Sequence, residues 1–76
     1  MDYVNMSKLH QGNTGKIAGY LGGTLFTKKL IGMGLYHGAV LKIIKEGCPG
    51  PWLIEVENNF KVAIGCSMVS KIVIGI

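Results

Sequence analysis

The sequence contains 76 residues, which is enough for one small domain, residues 1–76, but not for a second hydrophobic core. Hydrophobic residues make up 49% of it and charged residues only 16%, a composition that excludes a charge-rich disordered chain. The eight basic residues are all lysines and give a net charge of +4, which is compatible with an acidic protein face, an anionic membrane or a nucleic acid as partner.

Three features predict a cytoplasmic protein. No basic region followed by an apolar run opens the sequence, so we expect no signal peptide. No segment approaches the ~18 consecutive apolar residues that a membrane span needs. The two cysteines, Cys48 and Cys66, do not have the spacing of a redox or zinc motif, so we expect both thiols to be free in a reducing compartment.

The first 13 residues are polar and mixed. They predict either a loosely held arm, in particular over residues 1–6, or a first short strand. From Thr14 to Tyr20 apolar and polar residues alternate weakly, which predicts a strand that ends at the Gly22-Gly23 pair.

One convincing helix is predicted over residues 24–33. Its apolar residues recur at three- and four-residue spacing, as Leu25, Phe26, Leu30, Ile31 and Met33. Thr24 is the predicted N-cap, and Gly34 is the predicted left-handed residue that stops the helix. Lys28 and Lys29 are expected on its exposed side.

After Gly38 the apolar period changes to two, which predicts β-structure in the rest of the chain. Residues 39–45 are apolar on both faces and predict a central strand. Three later segments place their apolar residues on one face, namely Trp52, Ile54 and Val56, then Phe60, Val62 and Ile64, and finally Ile72, Ile74 and Ile76. Residues 66–70 interrupt this alternation and predict a single helical turn.

The register of the apolar residues predicts the turn before Phe60. A three-residue loop, Glu57-Asn58-Asn59, pairs Val56 with Phe60 and keeps the apolar side chains on one face, whereas a two-residue loop would place Glu57 there. Asn59 is the predicted left-handed residue of this turn, and Gly38 is the predicted turn residue before the strand at 39–45. Five short strands with one short helix after the first strand predict a mainly β fold, a small closed or nearly closed barrel.

The sequence offers no arrangement of residues typical of catalysis. No serine has a visible activating partner, and Glu55 and Glu57 fit a solvent-exposed strand face that pairs with Lys61. The glycines of residues 32–38 do not match a phosphate-binding loop. We therefore expect a protein that is not an enzyme and has no cofactor.

Two further binding functions stay open as alternatives. A transition-metal site would have to use His10, His37, Cys48 and Cys66, whose spacing matches no familiar ligand pattern. A basic nucleic-acid-binding barrel is the other alternative, but the chain has no arginine and few aromatic residues for base stacking. We expect neither a metal site nor a nucleic-acid partner.

A family resemblance rests on segments in a fixed order. The decapeptide KLIGMGLYHG at residues 29–38 is similar to the pattern R-L-x-x-M/L-G-L-x-P-G. Three other parts of the sequence match the family pattern before and after this decapeptide. They are the motif L-x-x-G-x-x-G at residues 9–15, the proline–glycine turn at 49–51 and the apolar segments within 60–74. Together, over residues 7–76, they resemble the FeoA family of small ferrous iron transport proteins.

The sequence departs from the family pattern at three positions. His37 stands where the family has proline, so the turn before the next strand is less rigid. Gly65 stands where the family has arginine, and Lys29 replaces another arginine. A lysine keeps the charge but not the two-pronged hydrogen bonding of an arginine.

The resemblance implies an SH3-like five-stranded barrel without enzymatic activity, acting in bacterial ferrous iron uptake. It implies a partner, FeoB, the membrane transporter with a cytosolic GTPase domain, and a place at the inner membrane through that partner. The same fold is found as the C-terminal module of metal-dependent repressors of the diphtheria-toxin-repressor type, but this sequence shows no helix-turn-helix. The candidate partner-binding residues lie on the predicted helix and its flanking turn, namely Leu25, Phe26, Lys28, Lys29, Met33 and Tyr36.

Overall fold

A computed structural model describes residues 2–47 and 49–76. The predictions for Cys48, a free thiol or a metal ligand, lie outside the described residues. The strands are β1 (Tyr3–Asn5), β2 (Thr14–Tyr20), β3 (Val40–Lys45), β4 (Trp52–Val56), β5 (Phe60–Ile64) and β6 (Ile72–Gly75). The helices are α1 (Thr24–Gly32) and the single turn α2 (Cys66–Val69), and a 3-10 turn covers Met6–Lys8.

The strands form one antiparallel sheet in the order β1-β6-β2-β3-β4-β5. The predicted mainly β class is confirmed, but the predicted count of five strands is wrong, since the described residues contain six. The helix α1 follows the second strand instead of the first because β1 precedes it. The predicted closure is also wrong, since no ladder joins β1 to β5 in the described part and the sheet stays open.

The extra strand lies in the segment for which an arm or a short strand was predicted. β1 pairs with β6 from Tyr3 opposite Gly75 to Asn5 opposite Val73. The Asn5 side chain then fixes the following turn, because its Oδ1 accepts a 3.0 Å hydrogen bond from the Ser7 N–H and its Nδ2 donates to the Ser70 carbonyl at 2.7 Å. The N-terminal segment is thereby held on both the last strand and the end of α2.

The core is formed by the alternating apolar residues of the strands together with a few residues from the turns and helices. Leu41 and Ile43 of β3 face it, and β3 is a central strand as predicted, since it pairs with both β2 and β4. The buried hydrophobic residues are Met6, Leu9, Ile17, Leu30, Leu35, Ala39, Leu41, Ile43, Trp52, Ile54, Val56, Ile64, Val69, Ile72 and Ile74. The described residues include no buried charged side chain.

The hairpin between β4 and β5 has the predicted register, with Val56 opposite Phe60 and Trp52 opposite Ile64. Its turn differs from the prediction. The left-handed residues are Glu57 and Asn58, with φ of 55° and 54°, and not Asn59. Two consecutive residues with positive φ are typical of a type I′ turn, whose twist matches that of the strands it joins.

Helix α1 begins one position earlier than the capping pattern predicted. Gly23 is the N-cap, and Thr24 is already the first helical residue, so no side chain caps the helix. At the other end Gly34 adopts φ +93°, as predicted, and Gly38 adopts φ +91°. The Tyr20 hydroxyl donates a 2.6 Å hydrogen bond to the carbonyl of Leu35, which ties the chain after the helix to β2.

Cys66 is disulfide-bonded, so the prediction of a free thiol at this position is wrong. It is the first residue of α2 and follows the end of β5 after one residue, Gly65. Spacing alone could not predict this bond, because the geometry that a disulfide needs is set by the fold. None of the described helices has both the length and the apolar character needed to cross a bilayer.

Candidate protein-interaction surface

Helix α1 packs one narrow stripe of side chains against the core. Leu30 is fully buried, and Phe26 and Met33 are partly buried against the core cluster. These three residues are separated by four and three positions and so lie on one side of the helix. The stripe covers the core, and most of the remaining residues of α1 are exposed.

Large hydrophobic side chains also lie on the outward part of the helix. Leu25 is 84% exposed, more than any other large hydrophobic residue described, and Ile31 is 47% exposed. Leu21, just before the helix, is 64% exposed. Single exposed hydrophobic side chains are common in proteins, but three of them on one short segment form a surface that a partner can cover.

The exposed part of this segment is basic. Lys28 and Lys29 are both exposed, and no carboxylate is paired with either in the described part of the chain. The Lys71 ammonium lies 5.4 Å from the centre of the Phe26 ring, within the range of a cation–π contact. A leucine flanked by lysines is suited to a partner with an apolar pocket and acidic edges.

We call the exposed side chains of this segment the α1 surface: Leu21, Leu25, Lys28, Lys29, Ile31 and Tyr36. Four of the six partner-binding candidates belong to it, namely Leu25, Lys28, Lys29 and Tyr36. The other two, Phe26 and Met33, lie mainly against the core and contribute to folding. The sequence analysis did not include Leu21 and Ile31 among the candidates for partner binding. Both could have been recognised from the sequence as apolar residues that do not share the helical spacing of Phe26, Leu30 and Met33.

Tyr36 lies at the edge of the α1 surface and is held by the β4–β5 turn. Its hydroxyl donates a 2.9 Å hydrogen bond to Glu57 Oε1, and the Val40 N–H donates to the same oxygen at 3.1 Å. The hydrogen bond to the carboxylate raises the pKa of Tyr36, with smaller contributions from desolvation and from the charge of Glu57. Glu57 is exposed, as the sequence predicted, but it lies in the turn after β4, where its carboxylate accepts from Tyr36 and Val40 and not from Lys61.

His10 and His37 line two different cavities, and no residue of α1 lines either of them. His10 and Glu46 line one of about 240 Å³, where His10 Nδ1 is 3.2 Å from Glu46 Oε2. His37 lines another of about 230 Å³ together with Tyr3 and Lys16. No group of three or more potential metal ligands occurs among the residues described. Cys66 offers no thiolate in its bonded form, so the four residues considered as metal ligands gain no support as one site.

The open antiparallel sheet of six described strands with one short helix is a mainly β fold of the SH3-like class. The model of the FeoA domain matches residues 4–75, and the chain belongs to the FeoA family, which is associated with ferrous iron transport. This is an accessory, transport-related domain family and not a known enzyme family.

Solved structures agree with this assignment. A crystal structure of an iron uptake regulatory protein, FeoA, is 29% identical over 96% of both chains, with a TM-score of 0.87. A FeoA-like protein from Clostridium acetobutylicum is 14% identical over 100% of this chain and 88% of the other, with a TM-score of 0.84.

A manganese-dependent transcriptional repressor has the same fold over 99% of this chain but only 37% of its own, at 13% identity and a TM-score of 0.88. At that identity the likeness extends to the fold alone. The comparison with curated proteins finds no match.

Proposed function

We propose that this protein is a non-enzymatic cytosolic accessory protein of bacterial ferrous iron uptake. Its partner is the cytosolic GTPase domain of a FeoB-like membrane transporter, and its docking site is the α1 surface. It reaches the inner membrane only through that partner. The single observation that carries the proposal is the exposure of Leu25, at 84%, on the outward side of α1 in a transport-related family.

The geometry of α1 supports a docking role. Leu30, Phe26 and Met33 anchor the helix to the core, so the opposite side is presented without further folding. A pre-formed surface loses little conformational entropy on binding. Exposed leucine and tyrosine side chains can enter pockets of a partner, while rim lysines mainly speed the encounter with an acidic face.

The direct test is titration of the purified protein against the GTPase domain of a FeoB-like transporter, by isothermal calorimetry at low and high salt. The Leu25→Ser variant should weaken binding by about tenfold or more, which corresponds to the burial of one leucine. Its melting temperature should stay near that of the wild type, since the Leu25 side chain is largely exposed.

Charge reversal tests the basic part of the surface. The double variant Lys28→Glu with Lys29→Glu should weaken binding, with the larger effect at low salt. Lys8→Glu with Lys45→Glu is the matched control, because it changes the net charge equally at two exposed positions away from α1. An absence of binding by the wild-type protein, or equal losses for the two double variants, would contradict the proposal.

A further inference from the structure

The open sheet has a free edge at β5. In the described part of the chain β5 pairs only with β4, and the order of the sheet places it at one end. Four of its five residues, Phe60 to Ala63, are exposed or half-buried. The backbone N–H and C=O groups along such an edge can pair with another strand.

The sequence of β5 makes one self-pairing favourable. Antiparallel pairing of two copies about a twofold axis through Val62 places Phe60 opposite Ile64 of the second copy and Lys61 opposite Ala63 of the second copy. All five residues then pair, and the only charge of the strand meets a methyl group. An axis through Lys61 instead places two lysines directly opposite each other, which destabilises a strand pair.

This register also continues the apolar side of the sheet. Within one chain Ile54 lies opposite Val62 and Val56 opposite Phe60. In the paired copies the row through Ile54 and Val62 therefore continues into Val62 and Ile54 of the second copy. On the other side Lys61 keeps Glu55 as its neighbour within its own chain. The pairing thus adds apolar cross-strand contacts without separating this lysine from the carboxylate opposite it.

We propose that two copies of this protein associate through antiparallel pairing of their β5 strands, about a twofold axis at Val62. The result is a twelve-stranded continuous sheet, six strands from each described chain. The opposite edge, β1, is a poorer candidate because it has only three residues, Tyr3–Asn5. The twofold arrangement closes after two copies, so it does not lead to filaments.

Sedimentation equilibrium of the full protein from about 10 μM to about 1 mM tests self-association, a range suited to a small interface. We expect a monomer–dimer equilibrium, with amide protons of β5 becoming more protected from exchange as the dimer forms. A monomer at every concentration, or assemblies larger than a dimer, would overturn the proposal.

Ala63 gives a test of the register itself. Ala63→Lys places a lysine opposite Lys61 at two symmetric positions and should raise the dissociation constant roughly tenfold, whereas Ala63→Glu should lower it. Gln11→Lys and Gln11→Glu, at an exposed turn, are the matched controls and should have no such opposite effects.

The swapped variant, Lys61→Ala with Ala63→Lys, has the composition and net charge of the wild type. It again pairs each lysine with an alanine of the second copy, so it should restore the wild-type dissociation constant. Equal dissociation constants for Ala63→Lys and Ala63→Glu would contradict the β5 register even if a dimer forms. Melting temperatures show whether each variant is folded.

Discussion

Tyr36 and Glu57, 21 positions apart, are joined by a 2.9 Å hydrogen bond from the phenol to the carboxylate. The bond connects the turn after α1 with the turn between β4 and β5. Glu57 also adopts a left-handed backbone, at φ 55°, and its N–H donates to the Val40 carbonyl at 2.8 Å. The position of Tyr36 on the α1 surface therefore depends on a strained residue of a different turn.

Titration of Tyr36 should reveal this bond. Because its pKa is raised above 10.0 in the folded protein, the neutral phenol is favoured and its stabilising effect is complete below that pH. The effect is lost as the pH rises through the higher pKa of the folded state. Absorbance at the phenolate band should show that Tyr36 ionises at a higher pH than a free tyrosine, and Glu57→Gln should lower the pKa of Tyr36.

An unchanged titration curve in Glu57→Gln would show that the carboxylate does not influence Tyr36. Tyr36→Phe identifies the relevant transition, because Tyr20 also has a pKa raised by burial.

Removal of the Glu57 side chain should destabilise the fold. Glu57→Ala keeps a residue with a Cβ in the left-handed region but loses the acceptor for the Val40 N–H, so we expect a loss of about 1 kcal/mol of unfolding free energy. Glu57→Gln keeps an acceptor oxygen and should lose less than half as much. Urea denaturation measures both, and equal losses would mean that the acceptor is unimportant.

Two nearby glycines should respond oppositely to alanine. At Gly34, with φ +93°, an added Cβ would lie 2.4 Å from Cζ of the Phe60 ring, so Gly34→Ala should cost about 2 kcal/mol or more. At Gly32, the last residue of α1, nothing lies within 4 Å of the added Cβ. Gly32→Ala should therefore be neutral or stabilise by up to about 1 kcal/mol. Thermal denaturation distinguishes the two, and a stabilising Gly34→Ala would contradict the turn geometry.

Reduction should weaken the protein through Cys66. Because Cys66 is disulfide-bonded, dithiothreitol should lower the unfolding free energy, by about 2–4 kcal/mol for a typical bond. Cys66→Ser should have low stability with or without the reductant. If dithiothreitol changes the melting temperature of the wild type and of Cys66→Ser equally, the effect does not come from this bond.

Strand registers could be predicted because alternation fixes which side chains face the core. Trp52, Ile54 and Val56 are buried as predicted, and a shift of one residue would have exposed all three. Alternation could not predict β1 in this way, because the strand has only three residues and its partner, β6, lies about 70 positions away in the sequence. The disulfide of Cys66 was missed for the same reason, since only the tertiary fold determines it.

The turn at Glu57 shows the limit of residue preferences. Asparagine tolerates a left-handed backbone better than glutamate, which favoured Asn59 in the sequence. In the structure Glu57 takes that conformation, and its side chain accepts hydrogen bonds from Tyr36 and Val40.

For the candidate surface, helical periodicity predicted that Lys28 and Lys29 are exposed. It could not separate Leu25, which faces outward, from Phe26, which packs inward.

The position of β6 also determines when the sheet can form during synthesis. β6 lies between β1 and β2, although it is the last of the described strands to be made. The Ile76 N–H donates a 2.9 Å hydrogen bond to the Asp2 carbonyl, so the first and last described residues meet. Among the described strands β1 pairs with β6 alone, so it has no partner until β6 has been made, whereas β2 can already pair with β3. The addition of β1 to the sheet is therefore expected to be a late step of folding, after β2 to β5 have paired.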